Sequence, residues 1–193
     1  MFGKPTLWLE DVSIERGGKP LVSNLSLELS GPNLLWVVGA NGIGKTSLLR
    51  TCAGLSQTAS GVVTWQVDGT RASASELVSF LPAESYAKPG LKAREEAAFW
   101  GADLNAGKIA KHGETLTQNL STGQAKRLSL SKLLADKKPI WIMDEPLAGL
   151  DANGRDLIAT KLQAHVSNGG LALVASHAPI AVEKIPTQRL VLG

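Results

Sequence analysis

The run Gly39-Ala40-Asn41-Gly42-Ile43-Gly44-Lys45-Thr46 holds the residues of this 193-residue chain best suited to chemistry. Gly39 and Gly44 stand with four residues between them and are followed by Lys and Thr, the spacing of a loop that wraps phosphates. Glycines let the backbone curl so that successive N–H groups, from Ala40 through Ile43, point at an anion. A helix starting near Gly44 adds the positive end of its dipole. Lys45 would reach the β- and γ-phosphates, Thr46 would ligate Mg²⁺, and Ser47 would lie beside the phosphates. Average glycine usage makes a chance match about a one-in-a-hundred event in a chain this long, so nucleotide binding is the leading expectation.

Two carboxylates end the apolar run Ile140-Trp141-Ile142-Met143-Asp144-Glu145. Successive strand residues point to opposite faces, so the pair can divide labour. Asp144 would hold Mg²⁺, directly or through water, and Glu145 would polarise an attacking water as general base. Alone, the pair reads as two solvated residues before Pro146; beside a phosphate loop it reads as an ATPase site. His177 follows the apolar run 171–175, at the strand end where α/β sites collect, and is expected to be catalytic with Lys45 and Glu145. His112 and His165 read as surface residues. The single cysteine, Cys52, reads as a packed small hydrophobe.

These residues need a frame. Leu25, Leu27 and Leu29 alternate with polar positions, and Leu7, Leu9 and Val12 do so imperfectly, which predicts half-buried strands around the Gly17-Gly18 turn. Residues 65–67 end at Asp68-Gly69, a hairpin signal, so the early strands are expected to form an antiparallel patch. Residues 34–38, 140–143 and 171–175 are apolar at every position, as in strands covered on both faces of a parallel sheet, and 78–81 is expected as a further buried strand, with a short one at 190–192. Helices are expected over 46–55, 92–100, 124–135 and 155–167, the last stacking Ile158, Leu162 and Val166 on one face. Trp36 and Trp141 read as core, while an exposed Trp100 would suit a partner surface. Alternating strands and helices predict an α/β fold: one domain over 1–193, its core formed by 1–82 and 136–193, with 83–135 as an inserted helical subdomain.

Composition sets the outer bounds. Hydrophobic residues make up 44% and charged residues 19%, a globular balance, and no apolar run approaches a membrane span. Glu10 and Asp11 interrupt the segment where a signal peptide would be apolar, and one cysteine supports no disulfide framework. A soluble cytosolic chain is expected. The net charge of +3 is scattered, so no nucleic-acid partner is expected.

Leu120-Ser121-Thr122-Gly123-Gln124 resembles the signature of ABC ATPases, usually Leu-Ser-Gly-Gly-Gln, and opens a helix that ends just before the Asp144 strand. Ala148-Gly149-Leu150-Asp151 resembles that family's D-loop, and His177 falls where the family keeps its switch histidine. The resemblance implies a P-loop NTPase core with an antiparallel β patch and a helical subdomain. It also implies ATP and Mg²⁺ as cofactors and a head-to-tail homodimer formed on ATP binding. Ser121, Gly123, Gln124 and Asp151 would then meet nucleotide held by the other subunit.

No coiled-coil insertion or second cassette is present, so the resemblance implies the ATPase subunit of a transporter whose membrane-spanning subunit is separately encoded. That places it on the cytoplasmic face of a bacterial inner membrane, with residues 86–91 docking the membrane partner. Gly42-Ile43-Gly44-Lys45-Thr46-Ser47-Leu48-Leu49-Arg50, then Ala53-Gly54-Leu55, together with Trp141-Ile142-Met143-Asp144-Glu145-Pro146 and the short end at 189–193, is most similar to the cytochrome c maturation (haem exporter) ATP-binding family. Another transporter system, or a stand-alone ABC ATPase that remodels a soluble partner, are the alternatives.

The chain departs from the family pattern at three places. Thr122 replaces the first signature glycine. Ala83 stands where the family has a glutamine that senses Mg²⁺ and the transporter, so either Glu84 substitutes or coupling works differently. Arg16 occupies the place of the aromatic residue that stacks on adenine; it either stacks its guanidinium on the base or is a solvated turn residue.

Overall fold

In a computed structural model, which describes residues 2–84 and 87–193, the imperfect alternation at the N-terminus is a bulge. The first elements are β1 (Pro5–Arg16), β2 (Lys19–Ser30), β3 (Asn33–Val38), α1 (Lys45–Cys52), β4 (Ser60–Val67), β5 (Thr70–Ala72), α2 (Ala74–Leu77) and β6 (Val78–Leu81). Then come α3 (Ala93–Phe99), α4 (Thr122–Ala135), β7 (Ile140–Asp144), α5 (Ala152–Ser167), β8 (Leu171–Ala175) and β9 (Thr187–Val191). The β1–β2 register slips between Leu9 and Val12, where Asp11 takes a φ of 49°. The extra residue brings Leu9 and Val12 to the same buried side.

Strands β2-β1-β4-β5 form an antiparallel sheet, and β6-β7-β8-β3-β9 form a parallel one. Strand β7 explains why its run is apolar at every position. Ile140 and Ile142 pack with β1, β2 and α1 on one face, while Trp141 and Met143 pack with α4 and α5 on the other. Strand β8 divides likewise, Leu171, Leu173 and Ala175 against Ala172 and Val174. The α/β class expected from the sequence is the one that forms. Between β6 and β7 the described residues hold an isolated bridge, Lys92–Leu116, but no strand, and Ala93, Ala97, Ile109 and Leu128 make a small cluster of their own.

Helix ends differ from expectation because caps outrank periodicity. Helix α1 stops at Cys52 rather than at 55: Gly54 turns left-handed (φ 71°), and Leu55 N–H bonds back to Arg50 O. Helix α5 starts at Ala152, three residues before the expected 155, because the Asp151 carboxylate accepts the Gly154 N–H at 2.9 Å.

His165 is a correction. It is buried in α5, its ring stacked on Trp141 at 3.9 Å and 10°, with Nε2–H donating to Leu171 O. Gly170 leaves room for that ring, since a Cβ there would lie 2.4 Å from His165 Nε2. Trp36 is only half-buried; Arg189 covers its ring and its Nε1–H donates to Ser176 O. Cys52 is packed in the core, and burial pushes its thiol up to about 12.

Candidate functional site

The phosphate loop begins where β3, a strand flanked by β8 and β9, runs out at Val38. Gly44 has a φ of 117°, a left-handed conformation that side chains resist, and it hands the chain to α1. Lys45, in the first turn, is buried and folds across its own loop. Its Nζ donates to Gly39 O (2.8 Å) and Ala40 O (2.9 Å) and lies 3.4 Å from His177 Nε2. The loop thus shapes a cradle with an ammonium inside it, satisfied by carbonyls. Thr46 and Ser47 face a cleft of about 490 Å³ whose walls include Asn41, Gly42, Asp144 and Glu145.

Across that cleft, Asp144 closes β7 with 2% exposure. Glu145 follows with a φ of 43°, unusual for a residue with a side chain, and its N–H is tied to Ala175 O at 2.8 Å. This turn aims the Glu145 carboxylate at His177. Oε1 lies 3.4 Å from His177 Nε2, and Oε2 accepts the His177 backbone N–H at 3.4 Å. Lys45, Glu145 and His177 therefore converge, although 132 residues separate the first from the last.

The donor set fits a small hard cation. Thr46 Oγ1 and the Asp144 carboxylate are oxygen donors lining one cleft, and no cluster of three or more His, Cys, Asp or Glu forms among the described residues. Such a sparse set suits Mg²⁺, which keeps waters and shares phosphate oxygens, better than a metal needing a full protein cage. An adjoining cleft of about 590 Å³ brings Thr46 and Asp144 together with Arg16, Ala83, Glu84 and Arg50. Arg50 was not anticipated from the sequence.

The signature forms the start of α4. Ser121 caps the helix: its Oγ accepts the Gln124 N–H (3.3 Å), and Gln124 Oε1 accepts the Ser121 N–H (2.9 Å). A Cβ on Gly123 would lie 2.8 Å from Gly149 O, so the helix start rests directly on the turn before Asp151. The Thr122 methyl lies against Gly149, where an added Cβ would come within 2.9 Å of it. Arg127 pairs with Asp151 at 2.8 Å, and the Gly154 N–H together with Arg127 holds the Asp151 carboxyl below its ordinary range. His112 is not a free surface residue, since Gln124 Nε2 donates to its Nε2 at 3.0 Å. These groups line a cleft of about 910 Å³ that shares no residue with either cleft beside the phosphate loop.

Lys126 escaped the sequence reading. It is 1% exposed, and its Nζ donates to Pro82 O and Ala83 O. The signal was there in its spacing, since Lys126, Leu130 and Leu133 fall at i, i+4 and i+7 on the buried side of α4.

A model of the ABC transporter family matches residues 22–148. The chain belongs to the ABC transporter family. Among curated relatives, the cytochrome c biogenesis ATP-binding export protein CcmA of Rhodopseudomonas palustris (strain BisB5) is 34% identical over 189 residues, covering 91% of this chain and 94% of that one. The same-named protein of Chelativorans sp. (strain BNC1) is 36% identical, with 95% and 96% covered. By these matches the chain sits with those export proteins inside the family, and it is an ATP-binding, ATP-hydrolysing subunit. The fold agrees with solved structures. An ATP-binding subunit of an ABC transporter superposes with a TM-score of 0.80 at 16% identity, covering 96% of this chain and 85% of that one. A dimeric ATP-binding cassette in a post-hydrolysis state with ADP and Pi superposes at 0.76 and 18% identity, covering 89% and 88%. No helix among the described residues is long and apolar enough to cross a membrane.

Proposed function

We propose that this chain drives cytochrome c biogenesis export, in the haem and cytochrome c maturation system, by hydrolysing MgATP between two of its copies. One observation supports the shared site above others. In a single chain the signature and the phosphate loop face separate clefts, so Ser121 and Gly123 meet nucleotide only on a second copy.

Each copy would hold ATP in residues 39–47, with Lys45 exchanging its loop carbonyls for β- and γ-phosphate oxygens. Thr46 and Asp144 would hold Mg²⁺, which neutralises developing charge on the phosphates when bound. Glu145 would orient and deprotonate the attacking water, and His177, in contact with both Lys45 and Glu145, would fix that carboxylate toward the γ-phosphate. Gln124 and Asp151 shape the opposing face, and Arg16 stands at the rim of the cleft, in reach of a base. Residues 83–135 act as a helical subdomain that carries the signature. A separately encoded membrane-spanning subunit would dock the ATPase on the cytoplasmic face of the bacterial inner membrane.

Glu145→Gln keeps shape but removes the proton acceptor, and losing a positioned base costs on the order of 10²–10⁴ in rate. Uncleaved ATP then holds two copies together, since ligand that binds the dimer better stabilises it. In size-exclusion chromatography at high protein concentration, Glu145→Gln should elute as a dimer with ATP and as a monomer with ADP. Adding Ser121→Arg should abolish the dimer, and Lys45→Ala should abolish MgATP binding. Wild-type turnover by Glu145→Gln would remove the glutamate from the mechanism.

A further inference from the structure

We propose that Lys126 is a positioning residue that ties the signature helix to the end of β6, so that the wall of the nucleotide cleft and the signature move as one body. This rests on the ATPase site proposed above. Lys126 lies in the second turn of α4, five residues after Ser121, a span of about 7.5 Å along the helix. Its ammonium donates to Pro82 O at 3.0 Å and to Ala83 O, the residues that follow β6 and face the cleft of Thr46 and Asp144. Ala83 has no side chain to reach across; its backbone carbonyl is held instead.

The energetics argue that the cation is there for its head group. Lys126 is buried, a position that is costly for an ammonium unless it is paired, and burial pulls its pKa down, opposed by the Asp144 and Glu145 carboxylates. Packing alone would be served by Leu or Met, as at Leu130 and Leu133 on the same side of α4. Two carbonyls on one segment and two carboxylates at the end of β7 instead give the charge its partners. The lysine therefore joins three places that matter for one reaction: the β6 end, the β7 carboxylates and the signature helix. A shift of residues 82–83 when nucleotide enters is passed through Nζ to a rigid helix, and so to Ser121 and Gly123.

The test uses the full chain with Lys126→Met, which keeps the apolar stem and removes the donor. MgATP affinity by calorimetry and KM should stay within about threefold of wild type, because Lys126 does not line the phosphate-loop cleft, while kcat should fall about tenfold or more. In hydrogen exchange, MgATP should alter protection at both 82–84 and 122–127 in wild type. In Lys126→Met the change at 122–127 should be lost, and Lys126→Arg, which keeps a donor, should restore it. A folded Lys126→Met with wild-type kcat and an unchanged response at 122–127 overturns the proposal. Should that variant not fold, wild type and Lys126→Arg decide. No MgATP response at 122–127 in wild type, or a response lost in folded Lys126→Arg, also overturns it. Wild-type chain that binds no MgATP at all overturns the ATPase reading and this inference with it.

Discussion

His165 carries the clearest pH dependence of any single residue. Burial lowers its pKa from 6.5 to about 4, with hydrogen bonds to the Leu171 and Pro139 backbones opposing the shift. The unfolded chain protonates this ring near its ordinary pKa while the folded chain resists, so the unfolded state binds more protons between the two values. The stability contribution is full above pH 6.5 and is lost as pH falls toward 4, on the order of 3 kcal/mol in all. Urea unfolding from pH 7.5 to 4 should show this decline, and His165→Phe should flatten it in that window. An unchanged slope in the variant would mean the decline comes from carboxylates. The Cys52 thiol, on the other face of the parallel sheet and pushed up to about 12 by burial, stays protonated at neutral pH.

At the scale of elements, the start of α4 has two jobs with competing demands. Its capping box fixes the helix, and its contact with Gly149 fixes the approach of the signature to the turn before α5. Ser121→Ala removes one half of the box and should cost about 1 kcal/mol. Gly123→Ala gains helix propensity worth up to about 1 kcal/mol, yet its new Cβ would meet a backbone carbonyl at 2.8 Å. Neither partner is a flexible side chain, so the clash wins and costs about 1–3 kcal/mol. Chemical denaturation of the two variants should rank Gly123→Ala as no more stable than wild type. A stabilised Gly123→Ala would show that the α4 start and the Gly149 turn separate freely.

For the whole molecule, the proposed membrane docking face lies after β6. Of residues 86–91, Tyr86 lies outside the described residues; Lys88 is exposed and Leu91 half-buried beside α3. Phe99 and Trp100, at the end of α3, are exposed and pack edge to face at 5.3 Å, an apolar surface in the same segment. Cysteines at Lys88 or Leu91 should cross-link to the membrane-spanning subunit in native membranes, without interference from buried Cys52. Cross-links arising only from cysteines on the antiparallel sheet, on β2 or β5, would place the docking face elsewhere.

Local spacing determined much of this protein. The loop at 39–46, the carboxylates ending a run apolar at every position, and the signature at the head of a helix all depend on neighbours a few residues away. Their residue types alone therefore pointed to the proposed chemistry and to the α/β alternation. Strand β8 was legible to the residue because a strand covered on both faces has no polar position to blur its limits, and β6 keeps its expected limits although it holds Ser79, whose hydroxyl donates to Asp136. Helix limits were less so, since Gly54 and Asp151 end and begin helices through hydrogen bonds that periodicity does not encode. Tertiary structure alone decided depth and partnership. Histidine in a helix can face water or a tryptophan, and only the packing of α5 on β7 chose the latter for His165. A lysine on an apolar stripe can snorkel or be buried, and the carbonyls after β6, some 43 residues earlier, decided it for Lys126. The separation of signature and phosphate loop into two clefts is likewise a property of how the layers stack, because sequence order places both motifs in one chain and is silent on which way they face.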